Sequence, residues 1–204
     1  MKSEVLLVKN QEEIIMHYTG TIWRPPYEAC SLLVQVTAGC THHSCKFCTL
    51  YEDLPFKFKL SPFSEVKADL AEASKYYRKI PRIFFTGANP FVLSTEKLKT
   101  LAKMVKEYYP FYKTIGCFAR ITDIMPKSLE ELKELRALGY DGITIGVETG
   151  DDESLTFMNK GFQSKDVLEQ CRKLDEAGIS YNFFYLTGIY GAGRGAVSYT
   201  HLTL

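Results

Sequence analysis

The sequence predicts an α/β protein built on parallel strands. Short apolar runs rich in β-branched and aromatic residues alternate with longer segments whose apolar residues recur at helical spacing. The strand-like runs are followed by Gly or polar residues, and the helical segments are long enough to serve as crossovers. Five strands alternating with four helices pair in parallel through right-handed crossovers, as an α/β barrel, open or closed, or a doubly wound sheet. In either arrangement ligands bind beyond the carboxyl ends of the strands.

Residues 1–30 read as an irregular N-terminal extension. A short helix is expected over 9–18, Arg24-Pro25-Pro26 fixes an extended turn, and Trp23 and Tyr27 read as packing anchors. The first strand is Leu32-Leu33-Val34-Gln35-Val36-Thr37, ended by Gly39. A helix over 62–77 follows, with Ser61 as N-cap and Pro62 at the first helical position. The second strand, 82–86, is broken by Gly87 and Pro90; a helix over 95–109 ends at Pro110. The third strand is 114–119, and the next helix, 127–138, is closed by Gly139. The fourth strand is 142–147, the last helix 164–177 is closed by Gly178, and the fifth strand is 179–186. Residues 31–190 are thus expected to form the parallel α/β unit, which stops after about the fifth strand. The tail 191–204 resembles translated adaptor sequence and stands outside the fold argument. An exposed edge at the fifth strand would then make the chain poorly soluble on its own.

With 25 Lys and Arg against 24 Asp and Glu, the net charge is +1, so there is no strong nucleic-acid signal and no membrane-surface signal. No apolar run is long enough to span a bilayer, and Met1-Lys2-Ser3-Glu4 carries no signal-peptide pattern. Six cysteines without an export signal point to reduced thiols in the cytoplasm. Cys30, Cys117 and Cys171 are isolated on apolar stretches and read as small buried hydrophobes.

The other three cysteines lie together in Gly39-Cys40-Thr41-His42-His43-Ser44-Cys45-Lys46-Phe47-Cys48, directly after the first strand. Thiolates this dense point to a metal ion or an iron-sulfur cluster, and three of them leave one iron of a four-iron cube open to a small molecule. The rim at the other strand ends offers Thr86-Gly87-Ala88-Asn89, Arg120, Glu148-Thr149-Gly150 and Thr187-Gly188. Alternation along the fourth strand puts Thr144, Gly146 and Glu148 on one face, so that Glu148 points into the barrel and needs a partner; Arg120 is a candidate.

This loop, with an aromatic residue just before its last cysteine and parallel strands behind it, resembles the radical S-adenosylmethionine (radical SAM) superfamily. Gly146-Val147-Glu148-Thr149-Gly150 with Met158-Asn159-Lys160-Gly161 looks closest to the branch of oxygen-independent coproporphyrinogen oxidase, the methylthiotransferases and Elongator-type enzymes. The resemblance implies a partial (β/α) barrel and a 4Fe-4S cluster on Cys40, Cys45 and Cys48, with S-adenosylmethionine chelated at the fourth iron. It implies that Phe47 lies against the adenine and that Gly87-Ala88-Asn89 stands where the family has glycine-glycine-glutamate for the methionine amino group. Glu148 would accept hydrogen bonds from the cofactor and Gly188 would pass the adenine; Arg120, by its opposite charge, is a candidate partner for Glu148 or for the methionine carboxylate. The implied activity is reductive cleavage to a 5'-deoxyadenosyl radical that takes hydrogen from an unidentified substrate, small or macromolecular, with an electron donor such as flavodoxin or ferredoxin.

The spacing departs from the family's Cys-x3-Cys-x2-Cys by one residue between Cys40 and Cys45. Cys-x4-Cys-x2-Cys is also the plant-type ferredoxin spacing, which needs a distant fourth cysteine. His42 and His43 admit a zinc site as a third reading. Both alternatives describe a non-catalytic iron-sulfur carrier or zinc module. The Gly191-Ala192-Gly193-Arg194-Gly195 run lacks the spacing of a phosphate cradle.

Overall fold

The structure is a computed structural model and describes residues 2–4, 7–9 and 12–188; the glycine-rich run at 191–195 and the tail lie outside the described residues. In chain order the elements are β1 (Lys2–Glu4), β2 (Leu7–Lys9), β3 (Glu12–Ile14), β4 (His17–Thr19), β5 (Leu32–Gln35), β6 (Thr37–Gly39), β7 (Phe58–Leu60), α1 (Phe63–Tyr76), β8 (Arg82–Thr86), α2 (Thr95–Tyr108), β9 (Thr114–Ala119), α3 (Ile121–Ile124), α4 (Leu129–Ala137), β10 (Ile143–Glu148), α5 (Asp152–Phe157), α6 (Ser164–Ala177) and β11 (Tyr181–Tyr185). The five long-range strands form one sheet in the order β11-β10-β9-β8-β5, each pair parallel. Each crossover carries an α-helix, as parallel pairing demands. Val34, Ile83, Phe85, Ile115, Cys117, Ile143 and Ile145 pack from the sheet into one core with Leu70, Leu98, Leu101, Leu132, Leu135, Val167 and Leu174 from the helices.

The helix expected over 9–18 is not formed: 7–9, 12–14 and 17–19 are strands. Tertiary partners decide this for β4. Gln35 donates from its amide to the Thr19 carbonyl (3.0 Å) and accepts from the Thr19 N–H (2.7 Å), and Tyr18 Oη donates to the Leu33 carbonyl (2.9 Å). β4 therefore follows the free edge of β5, where a helix would leave those groups unpaired. Helix α1 begins at Phe63, one residue later than read from Pro62, and Ser61 makes no capping bond; its N–H donates to the Val36 carbonyl instead. Helix α4 also starts later, at Leu129, under a capping box between Ser128 and Glu131. Cys117 and Cys171 are buried as expected, but Cys30 is exposed, because Ala29 and Cys30 lie on the turn that follows the Pro26–Glu28 helical turn.

At the amino end of the sheet Arg82 reaches across three strands. It pairs with the buried Glu28 (2.5 Å) and donates to Thr114 Oγ1 and to the Asp141 and Gly142 carbonyls. Gly116 and Gly142 leave room for its guanidinium, and a Cβ at either would collide with it. This staple and a Tyr27–Thr144 hydroxyl contact (2.9 Å) fix the 23–28 segment against the sheet.

Candidate active site

The cysteine loop leaves the sheet on a narrow ribbon, β6 paired antiparallel with β7, with Gly39 opposite Phe58. Gly39 has φ +73°, and a Cβ there would strike the Lys57 carbonyl, so only Gly lets the two stems close beneath the loop. Gly87 is needed for a similar reason at the end of β8, where φ is +129° and a Cβ would collide with Thr37.

The loop hangs over the carboxyl end of the sheet and walls a cleft of about 290 Å³. Cys40, Cys45 and Cys48 all line it, with Phe47, Ala88, Arg120 and Glu148. Among the described residues, Gly87, Asn89 and Gly188 are not part of this lining. Asn89 is fully buried beneath the loop; Gly188 has open space where a Cβ would be. Several groups that sequence reading did not assign to the site also line the cleft. Trp23, read as an anchor, is 44% exposed on its wall; Phe118 and Phe184 stand with ring centroids 6.3 Å apart; and Lys160 enters from the loop after α5. Only Lys160 had a signal, its place in the Met158-Asn159-Lys160-Gly161 segment. The others depend on chain crossings with no local pattern.

Glu148 ends β10 in the left-handed region, φ +73°, at a shift of register between β10 and β11. For a residue with a long side chain this conformation costs about 1–3 kcal/mol, and such strain collects at functional sites. The turn keeps the carboxylate in the cleft wall at 8% exposure, and Gly146 makes space for it: a Cβ there would lie 2.9 Å from Glu148 Oε1. Its partner is Lys160 Nζ at 3.3 Å; Arg120, the expected partner, instead donates to Thr122 Oγ1 and to the Lys160 carbonyl. Burial pushes the Glu148 carboxyl up, and the Lys160 charge and hydrogen bond oppose this. Lys160 Nζ also lies over the Phe47 ring (5.6 Å) and the Phe162 ring (5.5 Å).

The 158–161 turn holds the cysteine loop from outside. Lys46 N–H donates to the Met158 carbonyl (3.0 Å), His42 Nε2–H to the Asn159 carbonyl (2.5 Å) and Asn159 Nδ2 to the Ser44 carbonyl (2.9 Å). Asn159 itself has φ +57°, a conformation that Asn tolerates better than most residues. Burial pulls the His42 imidazole down; the Asn159 carbonyl opposes that, while the Arg120, Lys160 and Lys57 charges add to it. His42 is thus a donor to the turn.

All six cysteines are free. Burial pushes the Cys45 thiol up; Lys160 and Arg120 pull it down, and Cys40 and Cys48 push it up again. Among the described residues no three His, Cys, Asp or Glu side chains converge on one metal ion. A cubane makes a different demand, because each thiolate binds a separate iron. Three thiols, the cations Arg24, Arg120 and Lys160 and an aromatic ring in one cleft lining suit such a cluster and an anionic group next to it.

Residues 34–196 match the profile of the Radical SAM superfamily. The chain belongs to this superfamily. It is 30% identical to the heme chaperone HemW of Bacillus subtilis over 97 residues, 48% of this chain and 26% of HemW. It is 26% identical over 175 residues to the uncharacterized methyltransferase sll1242 of Synechocystis, 81% of this chain and 31% of that protein. The chain therefore spans about a quarter to a third of the curated relatives it matches. Coproporphyrinogen III oxidase (HemN) from Escherichia coli, a radical SAM enzyme, superposes with a TM-score of 0.57 at 18% identity, covering 75% of this chain and 36% of HemN. That likeness establishes the fold, a partial (β/α) barrel. The superfamily's cofactors are a 4Fe-4S cluster and S-adenosylmethionine. Among the described residues no helix is long and apolar enough to cross a membrane.

Proposed function

We propose that this chain carries the catalytic core of a radical SAM enzyme. The observation that carries the reading is the convergence of Cys40, Cys45, Cys48, Phe47, Arg120, Glu148 and Lys160 on one cleft at the carboxyl end of a parallel sheet. Held there, a 4Fe-4S cluster would supply one-electron reduction of S-adenosylmethionine, the chemistry by which this superfamily cleaves the sulfonium carbon-sulfur bond.

The protein's part is to hold and orient. Cys40, Cys45 and Cys48 would ligate three irons. Arg120 and Lys160, cations in the same cleft lining as the thiols, would attract the carboxylate of the cofactor's methionine part, and Glu148 would take its ammonium. Phe47, 40% exposed in the cleft lining, is the ring that would stack on the adenine. Ala88 lets the β8 rim approach closely. Trp23, Phe118 and Phe184 give the remaining wall an apolar, water-excluding surface that protects a reactive species. A reductant is required, and a small electron-transfer protein such as flavodoxin or ferredoxin meets that need in the cytoplasm.

The test is anaerobic reconstitution with iron and sulfide, followed by dithionite and S-adenosylmethionine. The wild type is expected to release 5'-deoxyadenosine and Cys45→Ala none. An iron-sulfur protein that accepts electrons but leaves the cofactor intact would instead be a carrier.

A further inference from the structure

Asn89 occupies the position that resembles an acidic cofactor contact, but its surroundings are those of a structural joint. The side chain is fully buried, and each polar atom is engaged. Its Oδ1 accepts from the Thr41 N–H (3.3 Å), and its Nδ2 donates to Thr41 Oγ1 (2.8 Å) and to both carboxylate oxygens of Asp123 (3.1 Å each). Asp123, 2% exposed, also accepts from the Arg120 N–H through Oδ2 (2.8 Å). Its backbone carbonyl accepts from the buried Lys127 ammonium (3.1 Å). One chain of bonds thus runs from the residue next to Cys40, through residue 89, to the backbone of Arg120.

Resting on the radical SAM reading of the cleft, we infer that Asn89 is a positioning residue that sets the cysteine loop against the β9 rim through Asp123, and does not contact the cofactor. The amide is required by its neighbours: it must accept from one backbone N–H and donate to a carboxylate. An acid at 89 would set two carboxylates within hydrogen-bond distance, where both cannot stay ionised. It follows that Glu148, the one acid in the lining among the described residues, is left to face the cofactor's ammonium.

The bond pattern is reciprocal, and this gives the test. When Asn89→Asp is combined with Asp123→Asn, the carboxylate and the amide trade places. The carboxylate at position 89 then accepts from Thr41 and from the amide at position 123, whose own oxygen accepts from the Arg120 N–H. Wild type, N89A, N89D, D123N and the N89D/D123N exchange are reconstituted anaerobically. Iron and sulfide per chain, the paramagnetic resonance spectrum of the reduced protein and equilibrium binding of S-adenosylmethionine are measured. N89D and N89A are expected to lose most of their iron, and the exchange to recover wild-type iron, spectrum and binding. If a single variant does not fold, the exchange decides alone: folded and loaded supports the joint, and unfolded or empty overturns it. N89A that keeps its cluster but binds S-adenosylmethionine about tenfold more weakly, a loss of about 1.4 kcal/mol, would make Asn89 a direct contact and overturn the inference. Failure of the wild type itself to hold a four-iron cluster overturns the cleft's reading as well, and shows before any variant is made.

Discussion

Lys160 carries three duties at one position: it neutralises Glu148, lies over Phe47, and through its carbonyl holds Arg120. Lys160→Met keeps the chain's bulk but leaves Glu148 buried beside no cation. Breaking such a pair from one side costs about 3 kcal/mol, less if the carboxyl can protonate. The loss should therefore be larger near neutral pH than in acid, and Glu148→Gln in the same chain should restore part of it in urea unfolding. Asp123 gives a second expectation. Burial first, against bonds from Arg120 and Asn89, pushes its pKa from 3.8 up to about 6. Between those values the folded protein keeps a proton that the unfolded chain has released, so this group makes stability fall as pH rises through that window. Melting temperatures of metal-free wild type and D123N across the window should differ in slope, with D123N the flatter; equal slopes would remove Asp123 from the balance. Neither duty was legible in the sequence. Glu148 could be placed on the inner face by alternation, but its partner comes from a turn beyond α5, and a strand pattern says nothing about where that turn lands.

Helices and strands were more legible than their connections. Helix α6 matches the predicted range because Val167, Cys171 and Leu174 repeat at helical spacing and Gly178 takes the left-handed cap, φ +73°. The β6–β7 ribbon was missed, since Thr-Ala-Gly and Phe-Lys-Leu show no run and meet only because Gly39 lets the stems close. α3 and α5 are too short to show a period. The most consequential connection is the 158–161 turn, because the longer cysteine loop is tied to it by three hydrogen bonds. Asn159→Ala removes one of these bonds and the residue's tolerance of positive φ, for about 1–3 kcal/mol in all. Urea unfolding of the metal-free protein should show that loss, and reconstituted N159A should bleed iron faster to a chelator. Unchanged iron release would mean that the loop is held by its stems alone.

Across the whole molecule the two ends of the sheet divide the work. The amino end is closed by Arg82 and Glu28, which fix the 23–28 segment; the carboxyl end opens into the cleft, and the same segment returns through Trp23, Arg24 and Pro25 to form part of its wall. The N-terminal stretch, which read as an irregular extension, is thus part of the site. Trp23 is the sole tryptophan of the sequence, so its emission should change when S-adenosylmethionine enters the cleft. The parallel order and the cysteine loop's place at the strand ends were readable because strand period, crossover length and glycine punctuation agree with one another.

The most direct measurement is the electron paramagnetic resonance spectrum of anaerobically reconstituted, reduced protein with and without S-adenosylmethionine. An iron left open by Cys40, Cys45 and Cys48 predicts a 4Fe-4S signal that shifts when the cofactor is added and is absent from Cys45→Ala. A spectrum indifferent to the cofactor, or a reconstituted protein without a four-iron signal, would contradict it.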